Sequence, residues 1–503
     1  MPSLKSCIDH VVVLMLENRS FDNLLGALHP KSPAFNGLDG TESNPLDPAN
    51  PGLASISVWN SHVVNSATMS IPTPDPGERF ADINQQLFGL DSPSDTVPME
   101  DPTVTATPGM NGFVANYLAQ DGNPVPQDVM HYFLPEQLPV ISTLARAFAV
   151  CDQWHASAPC QTWPNRFFAH TGTANGYANN SPTHFPYEMQ TVFNQLLDAV
   201  STADPWKVYF HDFPHALTLS RLWAHVDRFR VFAEFKQDAA NASLPAYSFI
   251  EPRYFPDLLP PNDGHPPHDL TLAEQLIAEV YNSLRSSPLW ARTLLIVTCD
   301  EHGGCYDHVP PPAAVPPDHP PSTPFAFDRY GVRVPAILVS PWIAPGTILR
   351  VSAGGGYPFD HTSIIATLGK RWDFTHALTP RVASAPDLEA VLNLPGATND
   401  GPGSITAPPY EGTHDDLQRA LGAPLNDFQQ ALHEAAGHLP DLSNLATTED
   451  RVNAIAAKVA GLLDLRRQLE QGSIRSIQAP AAESPADALP FIRQRLRAAL
   501  GRG

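Results

Sequence analysis

The stretch 293–309, TLLIVTCDEHGGCYDHV, constrains the fold more than any other part of the chain. Its apolar, β-branched run, Leu294 to Val297, predicts a strand that is buried on both faces, as in a parallel sheet. The run ends abruptly at Asp300 and Glu301. Two adjacent carboxylates at the end of a buried strand are costly to desolvate unless a positive charge lies between them. Because open α/β sheets bind ligands at the carboxyl ends of their strands, this stretch predicts a metal site there.

A second apolar strand ends in the same way. Residues 8–16, IDHVVVLML, lead directly into Glu17 and Asn18. Two separate strands are therefore expected to deliver oxygen-bearing side chains just past their carboxyl ends. The alternative is that Glu17 caps the helix that follows.

Further strands and a helix are predicted in alternation along the chain. Apolar runs that predict strands lie at 148–150, 206–210, 246–250 and 334–339. A helix is expected to begin near Thr271, where Thr271 and Glu274 form a capping box, and to pack its apolar face on the sheet. Strands that alternate with helices through short loops predict the α/β class, with a central, mostly parallel sheet flanked by helices.

The chain is expected to divide into two parts. Residues 1–410 form the α/β domain, and within it residues 27–130 are a long, loop-rich insertion that covers the active face. Residues 411–503 predict a C-terminal helical extension, with helices at 414–422, 425–437, 448–471 and 487–500. This extension is expected either to pack on the sheet domain or to join copies of the chain into a homo-oligomer.

Charge and cysteine content limit the partners and the compartment. The formal net charge of -22 argues against non-specific binding to nucleic acid or to anionic membranes. No stretch reaches transmembrane length, and the first residues carry no signal peptide. Five cysteines without a CxxC pair fit a reduced compartment. A cytoplasmic protein is expected from the start as given, and an exported one if the native start lies upstream.

The stretch 162–166, TWPNR, supplies a candidate nucleophile. Thr162 lies where a helix N-cap is expected, with Pro164 in the first turn. A hydroxyl at a helix N-terminus is well placed to carry a phosphoryl group, because the free amides and the helix dipole favour negative charge. Arg166 follows one turn later and is predicted to fork onto phosphate oxygens. The alternative is that Thr162 only caps the helix.

These residues predict a hydrolase site built from a metal ion, a nucleophile and a proton donor. Oxygen ligands suit one hard divalent cation, and five residues are predicted to supply them: Glu17, Asn18, Thr162, Asp300 and Glu301. Mg²⁺, Ca²⁺, Mn²⁺ and Zn²⁺ all stay open. Coordination would activate the Thr162 hydroxyl, and His265 and His211 are the candidate proton donors.

Four motifs, LENRSFDNLLG, TWPNR, HPPHD and DEHGGCYDHV, occur in this order and resemble the bacterial phosphoesterase family of phospholipase C and acid phosphatase A. The resemblance spans residues 8–395 and implies an alkaline-phosphatase-like α/β fold. It implies the same metal ligands, with Thr162 as the nucleophile and His265 at the phosphoryl group. His211 matches a further histidine only loosely, and His215 competes with it.

One position departs from the family pattern. Where the family often has a histidine shortly after an Asp-Pro pair, this chain has Glu78, and a changed substrate or pH optimum is one expected consequence. Four residues are predicted to contact the substrate: Glu78, Asn165, Arg166 and His268. Two polar pairs are predicted to support the metal ligands from behind: Asp307 with His308, and Asp360 with His361.

The sequence thus predicts a metal-dependent hydrolase of phosphoric esters that acts through a phosphothreonine intermediate at Thr162. A phospholipase C-type diesterase, acting on a phospholipid or similar ester, and a phosphomonoesterase of the acid phosphatase type both stay open. A phosphoryl transferase or a sulfatase-like enzyme on the same fold is a further alternative, although a sulfatase would need Cys or Ser at position 162. The remaining alternative is a non-enzymatic binding protein.

Overall fold

An eight-stranded sheet lies at the centre of the protein. The structure is a computed structural model that describes residues 2–50, 52–89, 107–182, 185–202, 204–317, 325–351, 356–443, 445, 447–470 and 479–501. In chain order the strands of this sheet are β1 (His10–Leu16), β2 (Ala149–Cys151), β3 (Trp206–Phe210), β4 (Phe229–Val231), β5 (Tyr247–Glu251), β6 (Thr293–Cys299), β7 (Ala336–Val339) and β8 (Thr347–Leu349). Across the sheet their order is β8-β2-β7-β6-β1-β5-β3-β4.

Neighbouring strands are parallel, except that β7 runs antiparallel to both β6 and β2. The strands that were predicted from apolar runs are the most buried ones: every residue of β6 is buried, as is β1 from Val11 to Leu16. Two further pairs of short strands lie outside this sheet, Ser43–Pro45 with Ser55–Ser57 and Trp154–His155 with Phe359–Asp360. The predicted α/β class, with a mostly parallel central sheet, is confirmed.

The strand register places the ends of β1 and β6 side by side. Leu16 pairs with Cys299, so Glu17 and Asp300 leave neighbouring strands at the same level. β5 lies on the other side of β1 and ends at Glu251. Three adjacent strands therefore bring carboxylates to one edge of the sheet, as the carboxyl ends of parallel strands do.

Helices flank the sheet and connect its strands. The α-helices are α1 (Leu4–Cys7), α2 (Phe21–Leu25), α3 (Ser66–Met69), α4 (Phe80–Phe88), α5 (Phe113–Leu118), α6 (Pro139–Ala147), α7 (Thr162–Thr171), α8 (Val192–Ala199), α9 (Phe232–Ala240), α10 (Leu270–Arg285), α11 (Thr362–Trp372), α12 (Pro380–Ser384), α13 (His414–Gly422), α14 (Asp427–His438), α15 (Thr448–Glu470) and α16 (Pro485–Ala499). Short 3-10 helices lie at Asp128–Met130, His215–Thr218, Ser220–Arg228, Trp290–Arg292 and Glu389–Val391. Among the described residues, no helix has the length and apolar character needed to cross a membrane.

The predicted capping box of Thr271 and Glu274 is wrong. The N-cap of α10 is Asp269, whose side chain accepts from the backbone N–H of Thr271. Glu274 instead accepts from the backbone N–H groups of Val140 and Ile141. It therefore caps α6, which packs against α10, and a partner distant in sequence replaces the local one.

The insertion, residues 27–130, holds α3 to α5 and a small apolar core of its own; residues 51 and 90–106 lie outside the described part. Ile83, Leu87, Phe113 and Tyr117 are buried in this core. Tyr306, from the segment that follows β6, packs into the same core. The insertion is thereby anchored next to the strand end that carries Asp300 and Glu301.

The C-terminal helices pack on the rest of the chain, which is one of the two arrangements expected for them. Phe428 of α14 belongs to the main apolar core, and its ring lies 4.9 Å from that of Tyr254. Arg79 pairs with Asp427 at 2.9 Å, which joins the insertion to α14. Within this extension, residues 444, 446, 471–478 and 502–503 lie outside the described part. Self-association and the boundary at residue 410 stay predictions.

We expect His155 to make the stability of the fold depend on pH. His155 lies in the short strand Trp154–His155, its Nδ1 donates to Gly331 O at 2.9 Å, and burial lowers its pKa to about 3. Between the ordinary histidine pKa of 6.5 and about 3, only the unfolded chain binds this proton, so stability falls as pH falls. Each such histidine adds about 1.4 kcal/mol per pH unit to the slope of the free energy of unfolding. Urea unfolding of wild type and His155→Gln between pH 4 and 6 should show slopes that differ by about this amount, whereas equal slopes would contradict the assignment.

Candidate active site

The first predicted ligands meet where β1 and β6 end. Glu17 and Asp300 are fully buried, and the backbone N–H of Asn18 donates to Asp300 Oδ1 at 3.0 Å. Asn18 adopts a left-handed backbone conformation, with a φ of 51°, which turns the chain sharply after the strand. Gly303 packs so closely against it that an added Cβ would lie 2.3 Å from Asn18 O. The turn after β6 therefore requires glycine at this position.

Thr162 directs its hydroxyl at these residues. It is the first residue of α7, and the N-cap is Gln161, so the prediction that Thr162 is the N-cap is wrong by one position. Thr162 Oγ1 lies 3.3 Å from Glu17 Oε2 and 3.2 Å from Asn18 Oδ1. The alternative, in which Thr162 only caps the helix, does not fit this geometry.

Asn165 fixes the turn that precedes Thr162. Its Oδ1 accepts from Ala158 N at 3.1 Å, and its Nδ2 donates to Cys160 O at 2.7 Å. Because the amide is engaged inside the protein, the predicted contact between Asn165 and the substrate has no support in this geometry. Its contacts position the start of α7 instead.

Arg166, one turn behind Thr162, holds three carboxylates together. Its guanidinium nitrogens lie 2.6 Å from Glu17 Oε1, 2.6 Å from Glu251 Oε2 and 3.1 Å from Asp300 Oδ2, and all of these side chains are fully buried. Since its donors face these carboxylates and backbone carbonyls of β1, the geometry does not support the prediction that Arg166 binds phosphate oxygens. Glu251 is missing from the predicted site, although it too follows an apolar run, and that pattern could have revealed it.

Glu301 completes the group of oxygen ligands. Its Oε2 accepts from Gly303 N at 2.8 Å, while its buried Oε1 has no hydrogen-bond partner within the described residues. Burial, together with the charges of Glu78 and Asp300, raises the pKa of Glu301 well above its ordinary value. Burial and Asp300 also raise the pKa of Glu17. Crowded, desolvated carboxylates of this kind are stabilised by a cation between them.

His265 lies on the loop before α10, facing the insertion. Its Nδ1 donates to Pro266 O at 2.6 Å, and its Nε2 lies 3.3 Å from Glu78 Oε2 without an aligned hydrogen bond. Desolvation acts to lower the pKa of His265, but the carboxylates of Asp75 and Glu78 raise it well above its ordinary value. The neighbouring carboxylates therefore favour the protonated form of the ring, which can donate a proton.

Glu78 reaches the site from the insertion. It accepts from Asn18 Nδ2 and, at 3.2 Å, from Gln161 Nε2. Glu78, where the chain departs from the family pattern, thus contacts the predicted metal ligand Asn18. It also contacts Gln161, the N-cap of α7.

His211 is not brought to this site. Its Nδ1 donates to the backbone carbonyl of Glu251 at 3.0 Å, and its ring stacks on Phe232 at 4.4 Å. It lines a separate groove with Lys236 and Arg253. The geometry therefore gives no support to His211 as a proton donor, because β3, which precedes it, lies two strands away from β1.

Asp307 and His308 form a second cluster with Asp22. Arg333 lies 2.9 Å from Asp22 Oδ1 and 3.0 Å from Asp307 Oδ1, and His308 Nδ1 lies 2.5 Å from Asp22 Oδ2. The spacing of the three side chains would suit a metal ion, but the guanidinium already compensates their charge. These contacts join the segment after β6 to α2 instead of supporting the predicted ligands.

Asp360 and His361, the other predicted supporting pair, make different contacts. His361 Nε2 donates to the backbone carbonyl of Asp300 at 2.5 Å, so it lies directly behind a predicted ligand. Asp360 Oδ1 accepts from Thr362 Oγ1 at 2.5 Å, and its Oδ2 lies 3.6 Å from Arg381. Of these two residues, His361 alone has a contact that can position Asp300 at the end of β6.

A groove with a volume of 1060 Å³ opens beside these residues. The insertion, the loop before α10 and the helical extension all line it, and it contains Asp75, Glu78, His268, Asp416 and Asp427. His268, which is predicted to contact the substrate, therefore lies where a substrate could enter. The contribution of the extension has no signal in the sequence, because it depends on packing between distant segments.

Comparison with known proteins identifies the chain. A profile of the Phosphoesterase family matches residues 8–375. Non-specific phospholipase C3 of Arabidopsis thaliana is 39% identical over 455 residues, which cover 87% of this chain and 83% of that protein. Non-specific phospholipase C1 of the same plant is 39% identical over 402 residues, which cover 77% and 71% of the two chains. Phospholipase C B of Mycobacterium tuberculosis (strain ATCC 25618 / H37Rv) is 26% identical over 460 residues, or 80% of each chain.

The match defines a hydrolase that acts on phosphoric ester bonds. The chain belongs to the phosphoesterase family, which confirms the resemblance seen in its motifs. Plant and bacterial proteins both match, and the plant proteins named here do so at higher identity. The predicted restriction to a bacterial family is therefore too narrow.

Proposed function

We propose that the chain is a divalent-metal-dependent phosphodiesterase of the phospholipase C type, with Thr162 as its nucleophile. The observation that carries the proposal is the position of Thr162 Oγ1 at the N-terminus of α7, 3.3 Å from Glu17 Oε2 and 3.2 Å from Asn18 Oδ1. The phospholipase C names of the relatives support the type of reaction.

The residues at the strand ends fit a divalent cation. Their donors are oxygen atoms, two of the carboxylates have raised pKa values, and Glu301 Oε1 has no partner among the described residues. The residues that would hold the ion are Glu17, Asn18, Thr162, Asp300 and Glu301. When bound, such an ion supplies Lewis-acid stabilisation of phosphoryl oxygens and lowers the pKa of a coordinated hydroxyl.

Thr162 carries the phosphoryl group between two steps. In the first step its Oγ1 attacks phosphorus, the ester bond to the leaving alcohol breaks, and the Thr162 proton passes to the facing carboxylate of Glu17. The free amides at the N-terminus of α7 favour the negative charge that remains on the phosphoryl oxygens. In the second step water attacks phosphorus, the bond to Thr162 breaks, Glu17 returns its proton to Thr162 Oγ1, and the phosphorylated headgroup leaves.

His265 supplies the proton that the leaving alcohol needs. Its raised pKa favours the protonated form, and its Nε2 is buried without an aligned partner within the described residues. In the second step the neutral ring can take a proton from the attacking water, which returns His265 to its starting state.

Glu78 favours a diester over a monoester. A phosphomonoester carries about 1.5 to 2 negative charges at pH 7, whereas a diester carries only one. A carboxylate beside the phosphoryl group therefore repels the monoester more strongly.

The test compares p-nitrophenylphosphorylcholine with p-nitrophenyl phosphate, each with and without a chelator. We expect the diester to be the better substrate and the chelator to lower kcat/KM by about 100-fold or more, because a bound metal contributes several kcal/mol to such reactions. Added divalent metal should restore the rate. Full activity after complete removal of metal would contradict the proposal, and a preference for the monoester would reverse the assignment of substrate.

A further inference from the structure

A second group of potential metal ligands lies beneath the site, apart from the oxygen ligands described above. His170, His215 and Glu251 are fully buried, and each offers one ligand atom such that all three atoms lie within 4.8 Å of one another. Two imidazoles and one carboxylate form a donor set that transition metals such as zinc bind in proteins.

Three separate elements converge to build this group. Thr162, Arg166 and His170 are spaced four residues apart in α7, so they lie along one face of the helix. His215 begins the 3-10 helix His215–Thr218, and Glu251 is the last residue of β5. The same helix face thus presents the nucleophile, then the guanidinium that holds the carboxylates, and then an imidazole.

The two histidine rings lack the partners that buried polar groups need. In the described structure neither ring nitrogen of His170, and neither of His215, has a hydrogen-bond partner. The rings are enclosed by aromatic side chains: Phe249 lies 4.6 Å from His170, and Phe167 lies 5.1 Å from His215. Each unsatisfied buried polar group costs about 1–3 kcal/mol, so a ligand that bonds to these nitrogens would stabilise the cluster.

Glu251 has an oxygen available for such a ligand. Its Oε2 accepts from Arg166 and from Tyr254, whereas within the described residues its Oε1 accepts only a long bond of 3.4 Å, from Ala216 N. Burial lowers the pKa of His170 to about 3 and that of His215 well below its ordinary value. Both rings are therefore neutral and carry the lone pair that a metal requires.

The donor set favours a metal ion at this cluster. Glu251 shares the single positive charge of Arg166 with Glu17 and Asp300, so a cation at Glu251 Oε1 adds compensation that the guanidinium does not supply alone. A metal ion bonds to one nitrogen of each neutral imidazole and to one carboxylate oxygen, and three such atoms lie within 4.8 Å of one another here.

We propose that His170, His215 and Glu251 bind one zinc ion that is distinct from the catalytic metal. Because the three residues are fully buried, the ion enters as the chain folds and does not exchange with solvent afterwards. It ties α7 to the end of β5 and to the start of the 3-10 helix, and so it fixes the helix that presents Thr162. This proposal does not depend on the proposed function.

The test is the metal content of the folded protein after prolonged dialysis against a chelator. Protein expressed with zinc available should retain one zinc ion per chain, measured by inductively coupled plasma mass spectrometry, and should lose it only on unfolding. The exchangeable catalytic metal is removed under these conditions, so the two proposals can fail separately. Folded wild-type protein without retained zinc would overturn the site.

Variants connect the retained zinc to the histidines. His170→Gln and His215→Gln should each lose the retained ion. His131→Gln serves as the control, because His131 is also buried and has an unpartnered ring nitrogen within the described residues. It lies away from the cluster, beside Trp59 of the insertion and beside Phe133. Zinc that persists in both cluster variants would overturn the assignment.

A measurement on wild-type protein decides the matter if the cluster variants do not fold. X-ray absorption at the zinc edge should show two imidazole ligands at about 2.0 Å. The predicted catalytic ligands are all oxygen donors, so imidazole scattering cannot come from them. A retained ion with oxygen ligands only would contradict the proposal.

Discussion

Thr162→Ala should lower kcat for phosphodiester hydrolysis by at least about 1,000-fold, as the loss of a covalent nucleophile does in other hydrolases. Alanine removes the only atom of residue 162 that faces both Glu17 and Asn18. Thr162→Ser should keep part of the activity, because serine preserves the hydroxyl at the first position of α7. Initial rates with p-nitrophenylphosphorylcholine at saturating metal measure both effects.

Thr171→Ala is the matched control for this loss. Thr171 ends the same helix and is equally buried, but its Oγ1 donates to the backbone carbonyls of Phe167 and Thr173. We expect this variant to keep kcat within about twofold of wild type. If Thr162→Ala retained a tenth or more of the wild-type rate, the nucleophile would have to be another residue.

Arg166→Met should lower the free energy of unfolding by about 3–5 kcal/mol, because it removes the positive partner of a buried ionic cluster and leaves the carboxylates uncompensated. These carboxylates are Glu17, Glu251 and Asp300, which one fully buried guanidinium contacts. Urea unfolding of protein from which a chelator has removed the exchangeable metal measures the loss. Added divalent metal should recover part of it, since a cation at Glu17 and Asp300 compensates the same charge and binds only the folded state.

Arg292→Met provides the comparison for an ion pair of similar geometry at the surface. Arg292 Nε lies 2.7 Å from Asp9 Oδ2, but both side chains are more than one-third exposed. Exposed pairs contribute about 0–1 kcal/mol, so this variant should unfold close to wild type. Equal effects of the two substitutions would show that burial does not set the strength of the Arg166 cluster.

The strand ends were predictable from the sequence because their signal is local. An apolar run followed at once by Glu17 and Asn18, or by Asp300 and Glu301, marks a buried parallel strand with polar ligands at its carboxyl end. The structure places both ends in register. The position of Thr162 near a helix start was also readable, from the proline that follows it.

The partners of these residues were not predictable, because they are distant in sequence. Whether Arg166 binds a phosphate or buried carboxylates depends on Glu251, which is 85 residues away in the sequence. The distance of His211 from the site depends on the order of strands in the sheet. His211 follows β3, and β5 lies between β3 and β1. Glu274 caps another helix for the same reason. Local patterns identify which residues carry chemistry, whereas packing decides what they contact.

The stereochemical course at phosphorus tests the central claim most directly. A chiral phosphorothioate analogue of p-nitrophenylphosphorylcholine, hydrolysed in ¹⁸O-labelled water, reports how many displacements occur at the phosphorus atom. Each in-line displacement inverts the configuration, so attack by Thr162 followed by attack by water should give overall retention. Overall inversion would mean that water attacks the substrate directly, and Thr162 would not be a covalent nucleophile.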